Sequence, residues 1–456
     1  MRQWMVAAKK ADFYAIAEKF HVDPVVARII RNREVIGEKN IRIYLGGNLS
    51  DLSDPHQMKD MDRLVEILAQ KIRKQVHIRI IGDYDVDGVT SSHLFLTALR
   101  RVGAKVDVVI PHRIQDGYGL SLHLLQQAKE DGVDTILTCD NGIAAIDEIA
   151  WAKAQKMTVL VTDHHAVPFE EHEGRRTEKK SLADAVVNPH QQDCGYPYKE
   201  LCGAGVAWNV IRVLYENYDM DKREAEDLLD FVAMATVCDV MSLTGENRIL
   251  VKEGLKRIRH TKNIGLQALM QACNVQPENI SAYHFGYVLG PCVNATGRLD
   301  TARHALRLFE TGQETEAEEI ARDLVDLNQE RKELTLQGVE MAKKLCEEGG
   351  YEKDPVLVLF LPDVHESIAG LIAGRIREMY NRPVFVLTRG EEGVKGSGRS
   401  TENYSMYENM CGCAELFTKF GGHPMAAGLS LPEENVEKFR RKINENCPLT
   451  VEEVCP

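Results

Sequence analysis

The sequence predicts an α/β protein: a domain built on a parallel sheet, joined by a long helix to a smaller α/β domain. Three observations carry that expectation. From about residue 76, short β-branched runs alternate with amphipathic stretches through polar or glycine turns, the pattern left by strands and crossover helices. Between Glu314 and Lys344 a charged, proline-free stretch spaces Ile320, Leu324, Leu327, Leu334, Met341 and Leu345 by 3, 4 and 7, which suits one long amphipathic helix. Beyond about residue 352 the strand-and-helix pattern starts again.

Taken in order, residues 1–75 read as a mainly helical region. Strands are expected at Val76–Ile81, Lys105–Ile110, Asp134–Thr138, Thr158–Thr162 and Ala185–Val187, with helices between them. Glu170 to Lys180 reads as a polar, charge-rich surface loop, and Gly203 to Asp239 as helical. After the long helix come strands at Val356–Leu361 and Pro383–Leu387 and two glycine-rich stretches. The expected boundaries are a helical region at 1–75, a catalytic domain at 76–312, a connecting helix at 313–348 and a substrate-binding domain at 349–456.

Hydrophobic residues at 44% and charged residues at 27% describe a chain that folds rather than a disordered one. No apolar run approaches the roughly 18 residues that cross a bilayer, and Met1 to Met5 do not open a signal peptide, so a cytoplasmic location is expected, with no membrane partner. Eleven cysteines spread from Cys139 to Cys455 contain no C-x-x-C pair and are expected to be reduced thiols. A net charge of -13 excludes sequence-blind coating of nucleic acid, because that affinity comes from Lys and Arg neutralising phosphates. Contact with nucleic acid must be local.

Acidic residues gather at or near the ends of predicted strands: Asp83 and Asp85, Asp140, Asp163 with His164 and His165, and later Asp239. In a parallel sheet the carboxyl ends of neighbouring strands lie side by side and form the ligand crevice, so these residues can share one small volume. Like charges packed there repel unless a cation sits among them. Imidazole with several carboxylates suits Mn²⁺ or Mg²⁺ better than structural zinc, and a pair of such ions can clamp a phosphodiester and activate water. The competing reading of Asp83-Tyr84-Asp85-Val86-Asp87-Gly88 is a calcium-binding EF-hand loop, which needs Glu where this chain has Leu94 and a helix where it has the strand His77 to Ile81. Asp87 has three possible tasks: touching the metal shell, capping the following helix or holding the Gly88 turn.

The ordered series Ile81 to Gly88, Cys139-Asp140-Asn141-Gly142, Asp163-His164-His165 and Thr236-Val237-Cys238-Asp239 resembles the motifs of the DHH superfamily of phosphoesterases in their RecJ form. Asp51 to Asp62, Val187-Asn188-Pro189-His190 and Cys202 to Ala207 continue the likeness, which covers about residues 40 to 432. The resemblance implies that Asp83, Asp85, Asp140, His164 and Asp239 bind two Mn²⁺ or Mg²⁺ ions, with Asp163 and His165 behind these ligands or facing the substrate, orienting the ligands and adjusting water acidity. It implies an exonuclease of single-stranded DNA, running 5′ to 3′ and releasing 5′-mononucleotides in recombination and repair, with a single-strand-binding protein or a helicase as possible partner.

Asn294-Ala295-Thr296-Gly297-Arg298, Gly396-Ser397-Gly398-Arg399-Ser400 and Gly421-Gly422-His423-Pro424 combine glycine, which lets backbone approach a ligand, with Arg, whose planar fork matches phosphate. By resemblance to RecJ and its DHH-associated domain, Arg298, Ser397, Arg399 and His423 would bind substrate phosphates, with cutting in the cleft between domains. Two departures stand out. The sequence ends about 28 residues after Gly428, too few for the OB-fold that follows this domain in typical RecJ proteins, and Val364-His365-Glu366-Ser367-Ile368-Ala369-Gly370 has Val where RecJ usually has Trp and Ser where it has Gly.

Two further functions stay open at this point. One is a DHH phosphodiesterase of short oligonucleotides or cyclic dinucleotides, whose members usually carry a third glycine where this chain has Phe420. The other is a catalytically inactive binding module of a replication complex, whose signature would be lost metal ligands.

Overall fold

The computed structural model describes residues 9–113, 116–117, 119–172, 175–351, 354–390 and 393–449. Cys455 and Met1 to Met5 lie outside the described residues. The chain divides into two units, Met1–Val325 and Asp326–Pro456.

The first unit opens with helices α1 (Phe13–Phe20), α2 (Pro24–Asn32), α3 (Glu38–Gly46) and α4 (Met61–Arg73). Asp12 and Asp23 cap α1 and α2 by accepting backbone N–H bonds, which satisfies donors a helix start leaves open. The sheet that follows has the order β2-β1-β3-β4-β7, from β1 (Ile78–Ile81), β2 (Val106–Val109), β3 (Thr135–Cys139), β4 (Thr158–Thr162) and β7 (Ala185–Val187). Every pair is parallel. The strands sit where the β-branched runs predict, although three begin later. Val76 closes the turn after α4 by bonding to the Lys71 carbonyl, with Gln75 at φ 52, so β1 starts at Ile78.

Between the strands run α5 (Val86–Arg101), α6 (Leu122–Glu130) and α7 (Ile146–Ala154). Side chains alternate across the sheet. Ile81, Ile136, Val159 and Val161 face α6 and α7, while Ile78, Ile80, Leu137 and Leu160 join a larger core with α4, α5 and the later helices. Apolar residues on both faces explain why these strands read as continuous β-branched runs, and burying each such side chain contributes about 1.5–3 kcal/mol.

One expectation is overturned. Glu170 to Lys180 is not simply a loop, because β5 (Phe169–His172) and β6 (Arg175–Glu178) pair as an antiparallel hairpin. With Phe169 its one large apolar residue, the segment lacks the period-2 alternation that marks a half-buried strand.

The unit continues through α8 (Gly203–Asn217), α9 (Lys222–Glu226), α10 (Leu229–Cys238), α11 (Gly245–Arg257), α12 (Ile264–Ala272), α13 (Ala282–His284), a π-helical turn at Phe285–Leu289, α14 (Gly290–Leu299) and α15 (Ala302–Glu310). Helix α16 spans Glu314–Gly349 and carries the chain from the first unit into the second. No helix among the described residues is long and apolar enough to cross a membrane.

The second unit is a mixed sheet of order β11-β12-β10-β9-β8, from β8 (Leu357–Phe360), β9 (Val384–Gly390), β10 (Gly393–Arg399), β11 (Lys419–His423) and β12 (Ala426–Leu431). Only β8 and β9 pair in parallel. Helix α17 (Ala369–Tyr380) covers Leu357, Leu359, Val384 and Val386 on one face. On the other face Met406 and Met410 of α18 (Met406–Cys411) and Phe439 and Ile443 of α19 (Val436–Glu445) pack on Val358, Phe385 and Leu387.

Candidate active site

Three adjacent parallel strands deliver the acidic residues. β1 runs into Gly82-Asp83-Tyr84-Asp85, β3 into Asp140, and β4 into Asp163-His164-His165, while Asp239 arrives as the C-cap of α10. Asp85 is the N-cap of α5, its carboxylate accepting the Gly88 N–H at 3.1 Å. Asp140 takes a left-handed backbone, φ 61, and so does β-branched Val240, φ 57, directly after Asp239. Backbone strain of this kind persists where surrounding structure imposes it, and it clusters at working sites.

The ligand-capable atoms form three overlapping groups, each within 4.8 Å: Asp83, Asp85 and Asp140; Asp140, His164 and His165; Asp87, His164 and Asp239. His164 links them, its Nε2 lying 3.0 Å from Asp140 Oδ1 and 3.7 Å from Asp87 Oδ2 and Asp239 Oδ2. Asp83 is 1% exposed, Asp140 3% and His164 8%. Burial first, then neighbouring carboxylates, pushes Asp83, Asp85 and Asp140 above the usual carboxylate range. The same two causes bring Asp239 to about 8, and burial lowers His164. Both carboxylate oxygens of Asp83 and Oδ2 of Asp239 are buried without a hydrogen-bond partner, and Nε2 of His164 faces carboxylate oxygens. Buried polar atoms are normally satisfied, so open oxygens grouped around an imidazole nitrogen fit a hard divalent cation.

Two members of these groups, His165 and Asp87, also bond outside them, and Asp163 bonds to the backbone around them. Asp163 Oδ1 accepts the His164 N–H (2.7 Å), the His165 N–H (3.1 Å) and His165 Nδ1 (2.7 Å), and its Oδ2 accepts the Ile143 N–H (2.9 Å). Burial opposes the Asp163 anion, but these donors outweigh it and hold the carboxyl below its ordinary value. Burial likewise opposes the His165 cation, and bonded Asp163, with Asp239 and Asp87 beyond, overrides it to about 9. Asp87 does not cap its own helix. Its two oxygens accept the Gly203 and Ala204 N–H groups, 2.6 and 2.7 Å, at the start of α8. A Cβ on Gly203 would lie 2.6 Å from the Cβ of Asp140, and one on Gly297 2.4 Å from the Tyr84 carbonyl, so only glycine lets α8 and α14 come this close. Cys139 and Cys238, each preceding a clustered aspartate, are pushed up by burial, Cys139 to about 12, and stay thiols.

Sequence reasoning did not single out two participants. Arg113, beyond the end of β2, lies over the Tyr84 ring at 4.8 Å and draws Asp83 downward electrostatically. Asn294 on α14 accepts the Val86 N–H at 3.2 Å and ties that helix to the Asp85 turn. Arg113 was legible as a basic residue at the same carboxyl edge, whereas Asn294 opens the noted Asn294-to-Arg298 stretch with nothing there to mark its bond to Val86. Arg298, in the last turn of α14, bears on Tyr84 electrostatically.

In the second unit, Ser397 and Arg399 lie two residues apart on β10 and so share a face. Arg399 on β10 and His423 on β11 both stand opposite Ala426 of β12, which puts His423 in the same row. Gly428 opposite Ser397 and Gly421 leaves the strand between them bare. The start of α17 closes on this face, since a Cβ on Gly370 would lie 2.9 Å from Arg399 Nη2.

Comparison with known proteins agrees with this geometry. Residues 77–236 match the DHH family, N-terminal domain, and residues 353–447 the DHHA1 domain. The single-stranded-DNA-specific exonuclease RecJ of Haemophilus influenzae is 36% identical over 440 residues, 92% of this chain and 74% of that protein. A crystal structure of exonuclease RecJ bound to manganese superposes with a TM-score of 0.74 at 31% identity, covering 87% of this chain and 97% of that one. RecJ from Thermus thermophilus in complex with Mg²⁺ gives 0.73 at 28%, covering 95% and 58%. A two-domain pattern, an acidic cluster suited to hard divalent ions and this extent of identity lead to one assignment: the chain belongs to the RecJ family of DHH phosphoesterases, which are phosphodiester hydrolases.

Proposed function

We propose that this protein is a Mn²⁺- or Mg²⁺-dependent exonuclease of single-stranded DNA, working 5′ to 3′ and releasing 5′-mononucleotides in recombination and repair. The observation that carries the reading is the convergence of Asp83, Asp85, Asp140, His164 and Asp239, with buried oxygens of Asp83 and Asp239 open to a ligand. These five residues would hold two ions, which when bound supply Lewis acidity toward water and phosphate. Asp163 orients His165 and the His164 backbone, and Asp87 fixes α8 against the cluster. Arg113 and Arg298 would bring positive charge to the phosphate beside the carboxylates, and Ser397, Arg399 and His423 would bind substrate phosphates.

The reading is tested by a time course with Mn²⁺ on 3′-labelled single strands of several lengths, beside the duplex, a dinucleotide and an Asp85→Ala control. Progressive shortening of single strands alone, absent from the control, is expected. Cleavage confined to the dinucleotide, or full activity in folded Asp85→Ala, would overturn it.

A further inference from the structure

The helical rod that ends in Arg298 begins with a feature that hydrolysis does not require. Tyr283 and Tyr287 are 62% and 72% exposed, and their rings stack with centroids 5.1 Å apart and planes 25° apart. They stand four residues apart on α13 and the π-helical turn, hence on one helix face. Two large aromatic side chains ordered against each other in water present a flat apolar surface that none of the described residues of this unit covers.

That surface is bolted to the active site. Cys238, the residue before Asp239, donates its S–H to the Phe285 carbonyl at 3.3 Å, which pins the tyrosine-bearing turn to the end of α10. Further along the rod Asn294 accepts the N–H of Val86, next to Asp85, and Gly297 lies against the Tyr84 carbonyl. Eleven residues separate Tyr287 from Arg298, about 16 Å at the helical rise. One helix therefore runs from the exposed rings along the rim of the carboxylate cluster to a guanidinium.

We propose that Tyr283 and Tyr287 form a stacking shelf for a nucleobase of the single strand whose phosphates are drawn to Arg298. The inference rests on the nuclease reading above. Stacking suits an enzyme that must accept every base, since each base has a π-face and no hydrogen-bond pattern is read. It also suits a chain of net charge -13, in which backbone attraction alone holds a strand weakly.

The test is the affinity for a fluorescent 12-nucleotide single strand, measured by anisotropy with EDTA present to stop hydrolysis. A Tyr283→Ala, Tyr287→Ala double variant should bind about tenfold or more weaker, the loss expected for one stacked base. The Tyr283→Phe, Tyr287→Phe pair should stay within about twofold of wild type, because the π-face is retained. Tyr14→Ala, an exposed tyrosine elsewhere, controls for general surface effects. An abasic strand of equal length should bind wild type and the double-alanine variant alike. Unchanged affinity of that variant for the normal strand, or an equal loss on the abasic strand, overturns the shelf while leaving the nuclease reading standing. Wild-type protein that neither binds nor, with Mn²⁺, shortens any single strand overturns both.

Discussion

Asp83 and Asp87 lie four residues apart in one turn, yet they should respond oppositely to the same substitution. Asp83 is buried with both oxygens open and other carboxylates around it, so its charge opposes folding when no cation is present. Because its carboxyl is raised above the ordinary range, the protein is favoured where Asp83 is protonated and loses that stability as pH rises. Asp83→Asn should therefore raise metal-free stability at neutral pH by on the order of 1 kcal/mol, and should also abolish hydrolysis and most of the Mn²⁺-induced rise in Tm. A metal-free variant less stable than wild type in thermal melts would contradict this account. Asp87 instead accepts two backbone N–H groups at the start of α8, where an anion is favoured. Asp87→Asn should lower stability by about 1.5–3 kcal/mol, seen as an earlier denaturation midpoint with and without Mn²⁺. The clustering of carboxylates at strand ends was legible because parallel topology converts it into proximity. The task of Asp87 was not, since its partners Gly203 and Ala204 lie 116 and 117 residues away.

Elements were legible where a periodic signal exists. The five parallel strands and α16 emerge from β-branched runs and a 3, 4 and 7 spacing, while the β5–β6 hairpin is polar and carries no alternation to detect. Helix α10 shows what periodicity hides, because it is buried nearly all round and still holds a carboxylate in its first turn. Asp230 accepts the Thr261 hydroxyl at 2.7 Å and the Phe231 N–H at 2.8 Å, yet burial pushes it up to about 6. A raised carboxyl favours the fold below its unfolded value, near 3.9, and that contribution is lost as pH rises toward 6. Asp230→Asn should match wild type near pH 4 and exceed it above pH 6 by on the order of 2–3 kcal/mol, because the amide carries no charge to bury. Paired urea titrations at the two pH values measure the difference. An equal offset at both would mean that hydrogen-bond geometry, not ionisation, governs this position.

At the scale of the whole molecule, the question is how a chain of net charge -13 takes a polyanion as substrate. Sixty-nine acidic against 56 basic side chains leave no general attraction, so binding must come from a few placed cations and from apolar contact with bases. The proposed phosphate contacts include three arginines, Arg113, Arg298 and Arg399. Each phosphate neutralised on a single strand adds roughly 0.7 to the slope of log affinity against log salt, so the slope should be about 2 in magnitude. Arg399→Ala should weaken binding and flatten that slope by about 0.7, whereas the paired tyrosine substitutions should weaken binding with the slope unchanged, since stacking releases no counterions. Anisotropy titrations of one oligonucleotide across 50 to 300 mM salt separate the two kinds of contact. A wild-type slope of 5 or more would mean that a broad basic track carries the strand, and the few-cation account of recognition would then be wrong.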